Sequence, residues 1–364
     1  MERKKVLDKG QMFLENYAKR VNLFLKDFFE EQKSKISPAQ TEMFEHLEEF
    51  CLRGGKRLRP ALVYLGFRLL GGKDSEDIVK VSLVTEFIHS FFLIHDDVMD
   101  ESTTRRGKPT VHCEYEARCR ERYRSFDKYS RLGESLAILA GDLSYCLATR
   151  LLCQIKLPPE RKIQVLGKLH EMVITTIFGQ ELDLRISADT KVAPRDVIQM
   201  YRMKTAKYSF EGPLQIGVIL AGGNQKDLEI ISSYAIPLGI AFQIQDDILG
   251  LFGAEEITGK SVRNDIEQGK QTLLIAKALE NGSKKERKTI QEALGNNRVS
   301  KTQIKELQNI VKSTGALSYV KQVAWKRLRK SRKMIEKMRE QEAYDKDIVN
   351  ILKDVTDFVI ERNT

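Results

Sequence analysis

Apolar positions repeat with a helical period along most of the chain. Leu83, Phe87, Phe91 and Ile94 are spaced by four, four and three residues and run into an acidic cluster. Leu136, Leu139, Leu143 and Leu147 repeat in the same way after a Gly-Glu start. Alternating β-branched runs bounded by hairpin turns are scarce. Breaks between helices are predicted at Gly54-Gly55, Gly71-Gly72, Pro158-Pro159, Gly222-Gly223, from Gly253 to Gly259, and at Asn281-Gly282. Pro60 suits the first turn of a helix, where its missing N–H costs nothing. Pro194 and Pro237, the latter placed near the start of an apolar helix, need local accommodation. With no Ser/Pro-rich linker and no fixed-period repeat, the pattern predicts an all-α protein. It reads as a single domain over residues 1–364, with a motif-bearing core at about 54–274 and C-terminal helices over 275–364. The stretch Cys113 to Arg131, dense in Arg and Glu, reads as an exposed excursion between two core helices.

Composition agrees with a globular helical chain: 41% hydrophobic and 31% charged residues, with 8 Pro and 23 Gly in 364. The formal net charge of +10 points to an anionic partner: nucleic acid, a membrane surface or a phosphorylated small molecule. Much of the positive excess lies after Lys284, as in Trp325 to Lys333, and reads as a solvated helix face. No nucleic-acid recognition motif accompanies it, so no nucleic-acid partner is expected. The five cysteines show no zinc-type spacing, and the N-terminus MERKKVLDKGQ has no apolar core of a leader. A reduced, cytoplasmic protein is expected. No uninterrupted run of 18 apolar residues occurs, so no transmembrane segment is expected.

Two acidic motifs carry the chemistry. In His95-Asp96-Asp97-Val98-Met99-Asp100, Asp96 and Asp100 stand one helical turn apart on one face. Bare carboxylates so placed repel unless a cation sits between them, and a hard divalent ion such as Mg²⁺ commonly bridges carboxylate to phosphate. An acidic, exposed helix end is the plainer reading of one such motif. The second, Gln243-Ile244-Gln245-Asp246-Asp247-Ile248-Leu249-Gly250, begins its acidic pair 150 residues later and also follows an apolar helix, which makes that reading hard to hold twice. Two such helices facing each other would line a cleft suited to a metal-bound diphosphate. Cations complete the set: Lys56, Arg57 and Arg59 in GGKRLRP, then Arg105, Arg106 and Lys108, and finally Lys204, Lys260 and Lys270. Any one of these is most simply a solvated surface charge; the set is what points to phosphate.

In order along the chain, GGKRLRP, HDDVMD…RRGKPTVH, AILAGD, GQELDL, MKTAKYSFEGP, FQIQDDILG and TGKSVRNDIEQGKQTLL resemble the trans-isoprenyl diphosphate synthases, which include the farnesyl and geranylgeranyl diphosphate synthases. The match runs from about Gly54 to Leu274. The resemblance implies long helices around a deep central cavity (the isoprenoid synthase fold), a homodimer, and isopentenyl and allylic diphosphates as substrates. It also implies that Asp96, Asp100 and Asp246 ligate Mg²⁺, three ions per site, supported by Asp97 and Asp247. Arg105, Lys204 and Lys260 would hold the allylic diphosphate, and Lys56, Arg59, His89 and Arg106 the isopentenyl diphosphate. Thr205, Gln243 and the Lys204 carbonyl would flank the allylic carbocation. Lys270 belongs to the same diphosphate-binding set.

The second motif ends in Gly250, where many members carry a third Asp; archaeal-type members resemble this form. Phe91 and Phe92, five and four residues before Asp96, are the expected chain-length determinants. At ~1.5 Å rise per residue Phe92 lies about 6 Å further along the helix axis. Within the family, aromatics at both offsets go with farnesyl products, so a C15 product is expected, with geranylgeranyl diphosphate as the alternative. Other readings fit less well. A terpene cyclase lacks GGKRLRP and the second acidic motif, a His-Asp phosphohydrolase needs more spaced His than the five present, and a non-catalytic subunit of a heteromeric synthase usually loses the acidic motifs.

Overall fold

The structure is a computed structural model describing residues 9–123, 127–189, 191–253, 263–296 and 298–360. It is all-α, as the periodicity predicts. The first half comprises α1 (Lys9–Lys33), α2 (Pro38–Leu52), α3 (Leu58–Leu69), α4 (Glu76–Met99), α5 (Val111–Arg122), α6 (Tyr129–Gln154) and α7 (Pro159–Ala188). After α8 (Pro194–Tyr201) comes a π-helical segment, Arg202–Glu211, then α9 (Gly212–Ala221) and α10 (Gln225–Phe252). The C-terminal part is α11 (Arg263–Glu267), α12 (Leu273–Asn281), α13 (Lys284–Ala293), α14 (Lys301–Ser313), α15 (Ala316–Glu340) and α16 (Lys346–Ile360).

Two helices place the acidic motifs. α4 starts on a Ser75 cap with Glu76 and Asp77 in its first turn, where acidic groups meet the positive helix end. It packs along α6 and α3 and ends at Asp100. α10 starts on an Asn224 capping box and packs along α15 and the π-helical segment. Its residues Tyr234 and Leu238 join the core around α1–α7, whereas Ile244 and Ile248 join a second buried cluster with α8 and α11–α15.

Several expectations are corrected. Pro237 sits inside α10 rather than near its start. A mid-helix Pro removes one hydrogen bond and crowds the preceding carbonyls, at a cost of roughly 3 kcal/mol. Ser331 Oγ on α15 donates to the Tyr234 carbonyl at 2.9 Å, tying α15 to α10 one turn before the proline. The Cys113–Arg131 excursion is largely α5, whose Tyr115 and Cys119 are buried and which packs along α6. Leu139 does not share the buried face of Leu147: it is 52% exposed. A two-stranded hairpin pairs Thr104–Arg105 with Lys108–Pro109. Its turn residues Arg106 and Gly107 both have positive φ, as the tight hairpin turn demands.

α4, α6 and α10 are each long and apolar enough, by length and composition, to cross a membrane, which the lack of an uninterrupted apolar run did not anticipate. In the folded chain most of the apolar stretch of α4 and of α10 is buried inside the protein. All five cysteines are free thiols.

Candidate active site

The acidic end of α4 is wrapped by cations from three other segments. Arg105, in the hairpin, grips Asp97: its Nε donates to both carboxylate oxygens at 2.7 and 2.9 Å, and its Nη2 lies 3.5 Å from Asp96. Lys204, in the π-helical segment, places Nζ 3.1 Å from Asp96 and 2.6 Å from Asp183 on α7. Lys270, beyond α11, lies 3.1 Å from Asp100. The wide π turn has room because Gly179 on α7 and Gly239 on α10 flank it. A Cβ on Gly179 would meet the Lys204 backbone nitrogen at 2.5 Å, and one on Gly239 the Ala206 Cα at 2.5 Å.

Burial and neighbouring charge compete at each of these groups. Burial works to raise the Asp96 pKa, but Lys204, Lys270 and Arg105 outweigh it and hold it at about 2. Asp100 is raised by burial and then by the Asp96 charge, against the pull of Lys270. Asp97 is raised too, burial prevailing over Arg105. Lys204 stays firmly protonated: burial opposes its charge, but Asp96 and Asp183 prevail.

The donor set suits a hard divalent cation. It consists of carboxylate oxygens one turn apart, and Asp100 Oδ2 is buried with no well-directed hydrogen bond despite the nearby Lys270 ammonium. Among the described residues, no three acidic, His or Cys side chains converge into a ready metal cage.

The second motif forms a different kind of network. Thr205 Oγ1 donates to Gln243 Oε1 at 2.8 Å, and Gln243 Nε2 donates to Asp247 Oδ1 at 2.9 Å. The Tyr201 hydroxyl donates to the other Asp247 oxygen and accepts from the Leu273 backbone N–H at 2.8 Å. Burial pushes Asp247 up to about 8. These bonds fix which way the Gln243 amide points. Gly250 has a steric reason: a Cβ there would collide with Asp265 Oδ2 of α11. A carboxylate is thus present beside the position where other members carry a third Asp, and its charge also acts on Lys270.

A third group lies beside the first. Arg59 Nη2 donates to the Tyr208 hydroxyl and Ser209 Oγ, both at 2.7 Å, with its guanidinium 4.4 Å from the Tyr208 ring centre. Tyr208 OH is 3.1 Å from His89 Nδ1. Burial, then the charges of Arg59, Arg106 and Arg105, hold His89 well below its ordinary pKa. Arg106 donates to the Gly54 carbonyl, tying the hairpin to the glycine turn. Phe92 meets Tyr208 edge-on at 5.2 Å, whereas Phe91 packs on Tyr145 at 5.5 Å and His95 at 4.7 Å.

Most predicted residues therefore converge: Asp96, Asp97, Asp100, Arg105, Lys204 and Lys270 in one network, Thr205, Gln243 and Asp247 in a second, and Arg59, His89, Arg106 and Phe92 in a third. Asp246 follows Gln243 by three residues on α10. Lys56 is held elsewhere, its ammonium 4.5 Å from the Phe358 ring centre on α16. Arg57, counted above among the loop cations, is buried. It pairs with Glu86 at 2.6 Å and donates to Asn22 and to the Cys51 carbonyl, so it anchors the loop. Lys260 lies outside the described residues. Asp183, Tyr201, Tyr208 and Asp265 were not singled out from the sequence. Asp183 and Tyr208 stand inside the quoted GQELDL and MKTAKYSFEGP motifs, and Asp265 inside NDIEQGK, so motif membership was the available signal.

Long helices presenting interleaved carboxylates and cations define an all-α enzyme of the isoprenoid synthase fold. The polyprenyl synthetase family matches residues 40–311. The chain is 35% identical over 302 residues to the geranylgeranyl diphosphate synthase of Sulfolobus acidocaldarius, covering 82% of this chain and 85% of that one. It is 30% identical over 346 residues to the geranylfarnesyl diphosphate synthase of Aeropyrum pernix, covering 94% and 99%. A solved geranylgeranyl pyrophosphate synthase from Corynebacterium glutamicum, complexed with isoprenyl diphosphate and magnesium, superposes with a TM-score of 0.90 at 30% identity, covering 98% of this chain and all of that one. The chain belongs to the polyprenyl synthetase family and is a prenyltransferase.

Proposed function

We propose that this protein condenses isopentenyl diphosphate head-to-tail with an allylic diphosphate, dimethylallyl or geranyl, to give a short-chain prenyl diphosphate in a Mg²⁺-dependent reaction. One observation carries this reading. Asp96 and Asp100 meet Arg105, Lys204 and Lys270 at 2.6–3.5 Å contacts shared with Asp97 and Asp183, so the site holds both the anions for a divalent metal and the cations for a diphosphate. Mg²⁺ usually takes only one or two protein carboxylates and completes its shell with phosphate oxygens and water, which agrees with carboxylates dispersed among cations.

Asp96, Asp100 and Asp246 would hold Mg²⁺, three ions by family resemblance, with Asp97 and Asp247 orienting their surroundings. Bound Mg²⁺ stabilises charge on the departing pyrophosphate. Arg105, Lys204, Lys260 and Lys270 add fixed positive charge on the same leaving group, while Arg59, His89 and Arg106 hold the isopentenyl diphosphate; Lys56 would join them on leaving the Phe358 ring. The allylic C–O bond breaks, and the oxygens of Thr205 and Gln243 and the Lys204 carbonyl face the cation. The isopentenyl double bond forms the new C–C bond, and the proton lost from isopentenyl passes to pyrophosphate. No side-chain base is needed.

The names of the relatives favour a geranylgeranyl product over the expected farnesyl one. The paired rings of Phe91 and Phe92 are what supports farnesyl as the second reading. A homodimer is supported by exposed apolar residues on two neighbouring helices: Leu139 on α6 with Ile174, Ile177 and Phe178 on α7. Burying such a face is worth roughly 25 cal/mol per Å².

Pyrophosphate release on mixing both diphosphates with Mg²⁺, followed by chromatography of the products by chain length, tests the reaction. Release should require both substrates and the metal, and Asp96→Ala and Asp246→Ala should each lower it about 100-fold or more. Near-normal release by either variant at saturating Mg²⁺ would sink the metal assignment. Arg59→Ala should chiefly raise KM for isopentenyl diphosphate and Lys260→Ala chiefly weaken allylic substrate use.

A further inference from the structure

The basic excess of the C-terminal region is concentrated on one face of α15. From Ser318 to Lys333 the sequence carries seven Lys and Arg and no Asp or Glu. Another face, through Val320, Ala324, Leu328 and Ile335, is buried, and α15 packs along α10. At 100° per residue, Lys321, Trp325, Arg329 and Arg332 fall within about 40° of one another's mean direction, with Lys326 and Lys333 beside them. All six are exposed.

Two features separate this face from an ordinary solvated one. On several other helices, exposed cations pair with carboxylates one turn away, as in Lys35–Glu31, Lys80–Glu76, Arg120–Glu116 and Arg185–Glu181. On α15, among the described residues, no carboxylate lies within 4 Å of Lys321, Lys326, Arg329, Lys330 or Lys333; Arg332 alone in the stripe pairs, with Asp357. A surface built only for solubility mixes the two signs. Second, the only Trp of the chain stands in the middle of this field, 58% exposed, with the Arg332 guanidinium 5.9 Å from its ring centre.

We propose that the outer face of α15 docks on an anionic phospholipid surface, with Trp325 entering the headgroup region and the flanking cations meeting lipid phosphates. Each Lys or Arg close to such a surface adds attraction, and an indole, with an apolar body and one N–H donor, prefers the membrane–water boundary. A polybasic face plus one apolar anchor gives the two signals that reversible membrane attachment needs. Duplex nucleic acid would match the charge but leaves the central, solvent-facing indole without a role. The attachment uses none of the residues of the acidic motifs. It would give a product with a water-insoluble hydrocarbon tail a short path into the bilayer.

Trp325 makes the test direct, because every change in tryptophan emission reports this one position. The full-length protein is mixed with vesicles of phosphatidylcholine containing about one-third phosphatidylglycerol, or with phosphatidylcholine alone. It should sediment with the anionic vesicles, shift its emission to the blue on binding, and be released by raised salt. The Lys326→Gln/Arg329→Gln/Lys333→Gln variant should partition at least about tenfold more weakly. Trp325→Ala should partition severalfold more weakly, and both variants should keep wild-type pyrophosphate release in vesicle-free buffer. Failure to bind, equal binding to neutral vesicles, unchanged binding by the triple variant, or tighter capture by duplex DNA or RNA than by anionic vesicles would each overturn the proposal.

Discussion

Lys204 Nζ lies 2.6 Å from Asp183 Oδ2, closer than the 3.1 Å that separates it from Asp96. Asp183, on α7, therefore holds the ammonium beside the first acidic motif rather than letting it collapse onto one carboxylate. Asp183→Asn weakens that hold. Turnover should fall about tenfold or more through misplacement of the Lys204 charge, with little change in melting temperature. Steady-state kinetics with the allylic diphosphate varied would check it, and a change of less than twofold would reduce Asp183 to a packing role.

Asp100 is the strained carboxylate of the pair, since burial and the Asp96 charge both raise its pKa. Asp100→Asn removes that repulsion while Asp265 and Asp96 still face Lys270. The metal-free protein should gain about 1–2 °C in melting temperature, and turnover should drop about 100-fold or more. Loss of both stability and activity would place Asp100 among structural residues.

Phe92 meets Tyr208 at 5.2 Å, within the group that also holds Arg59 and His89, while Phe91 turns to Tyr145 and His95. Of the two rings, Phe92 is thus the one next to the candidate site. Phe92→Ala should lengthen the main product by at least one C5 unit, whatever the wild-type length, and Phe91→Ala should act less. Identical product profiles for wild type and Phe92→Ala would move the length determinant elsewhere.

His89 carries a folded-state pKa well below the ordinary 6.5, first because of burial and then because of four arginines, Arg59, Arg106, Arg105 and Arg57. The unfolded chain therefore takes up a proton before the folded one does. The resulting contribution is fully present above about pH 6.5 and is lost as pH falls toward the folded value. His112, lowered by burial, acts in the same direction. Between pH 7 and 5.5 the denaturant midpoint of His89→Gln should decline less than that of the wild type. Parallel declines would show that His89 is not the titrating group.

Burial pushes the Cys51 thiol up to about 12, while Cys146 and Cys153 are exposed. A thiol-specific reagent at neutral pH should modify Cys146 and Cys153 in the native protein. Cys51 should react only on unfolding, because the thiolate is the reactive species. Mass mapping of the labelled peptides gives the answer, and early labelling of Cys51 would contradict its placement under Ser90, 3.2 Å away.

What the sequence determined by itself was the helical character, the two acidic motifs and the cationic set, because these are local. Spacing of three and four residues builds an apolar stripe, and an i, i+4 pair shares a face wherever the helix ends up. Tertiary structure alone decided the partners. Nothing local distinguishes the anchoring Arg57, buried against Glu86, from Arg59 two residues on, which reaches Tyr208 and Ser209. Pro237 reads as a helix start, yet it is buried in the middle of α10, which packs along α15 and the π-helical segment. Asp183 and Asp265 look like ordinary helix charges until Lys204 and Gly250 are brought against them. Contacts between residues far apart in sequence depend on how the helices pack. Packing follows from the whole buried surface, and no short window of the chain contains it.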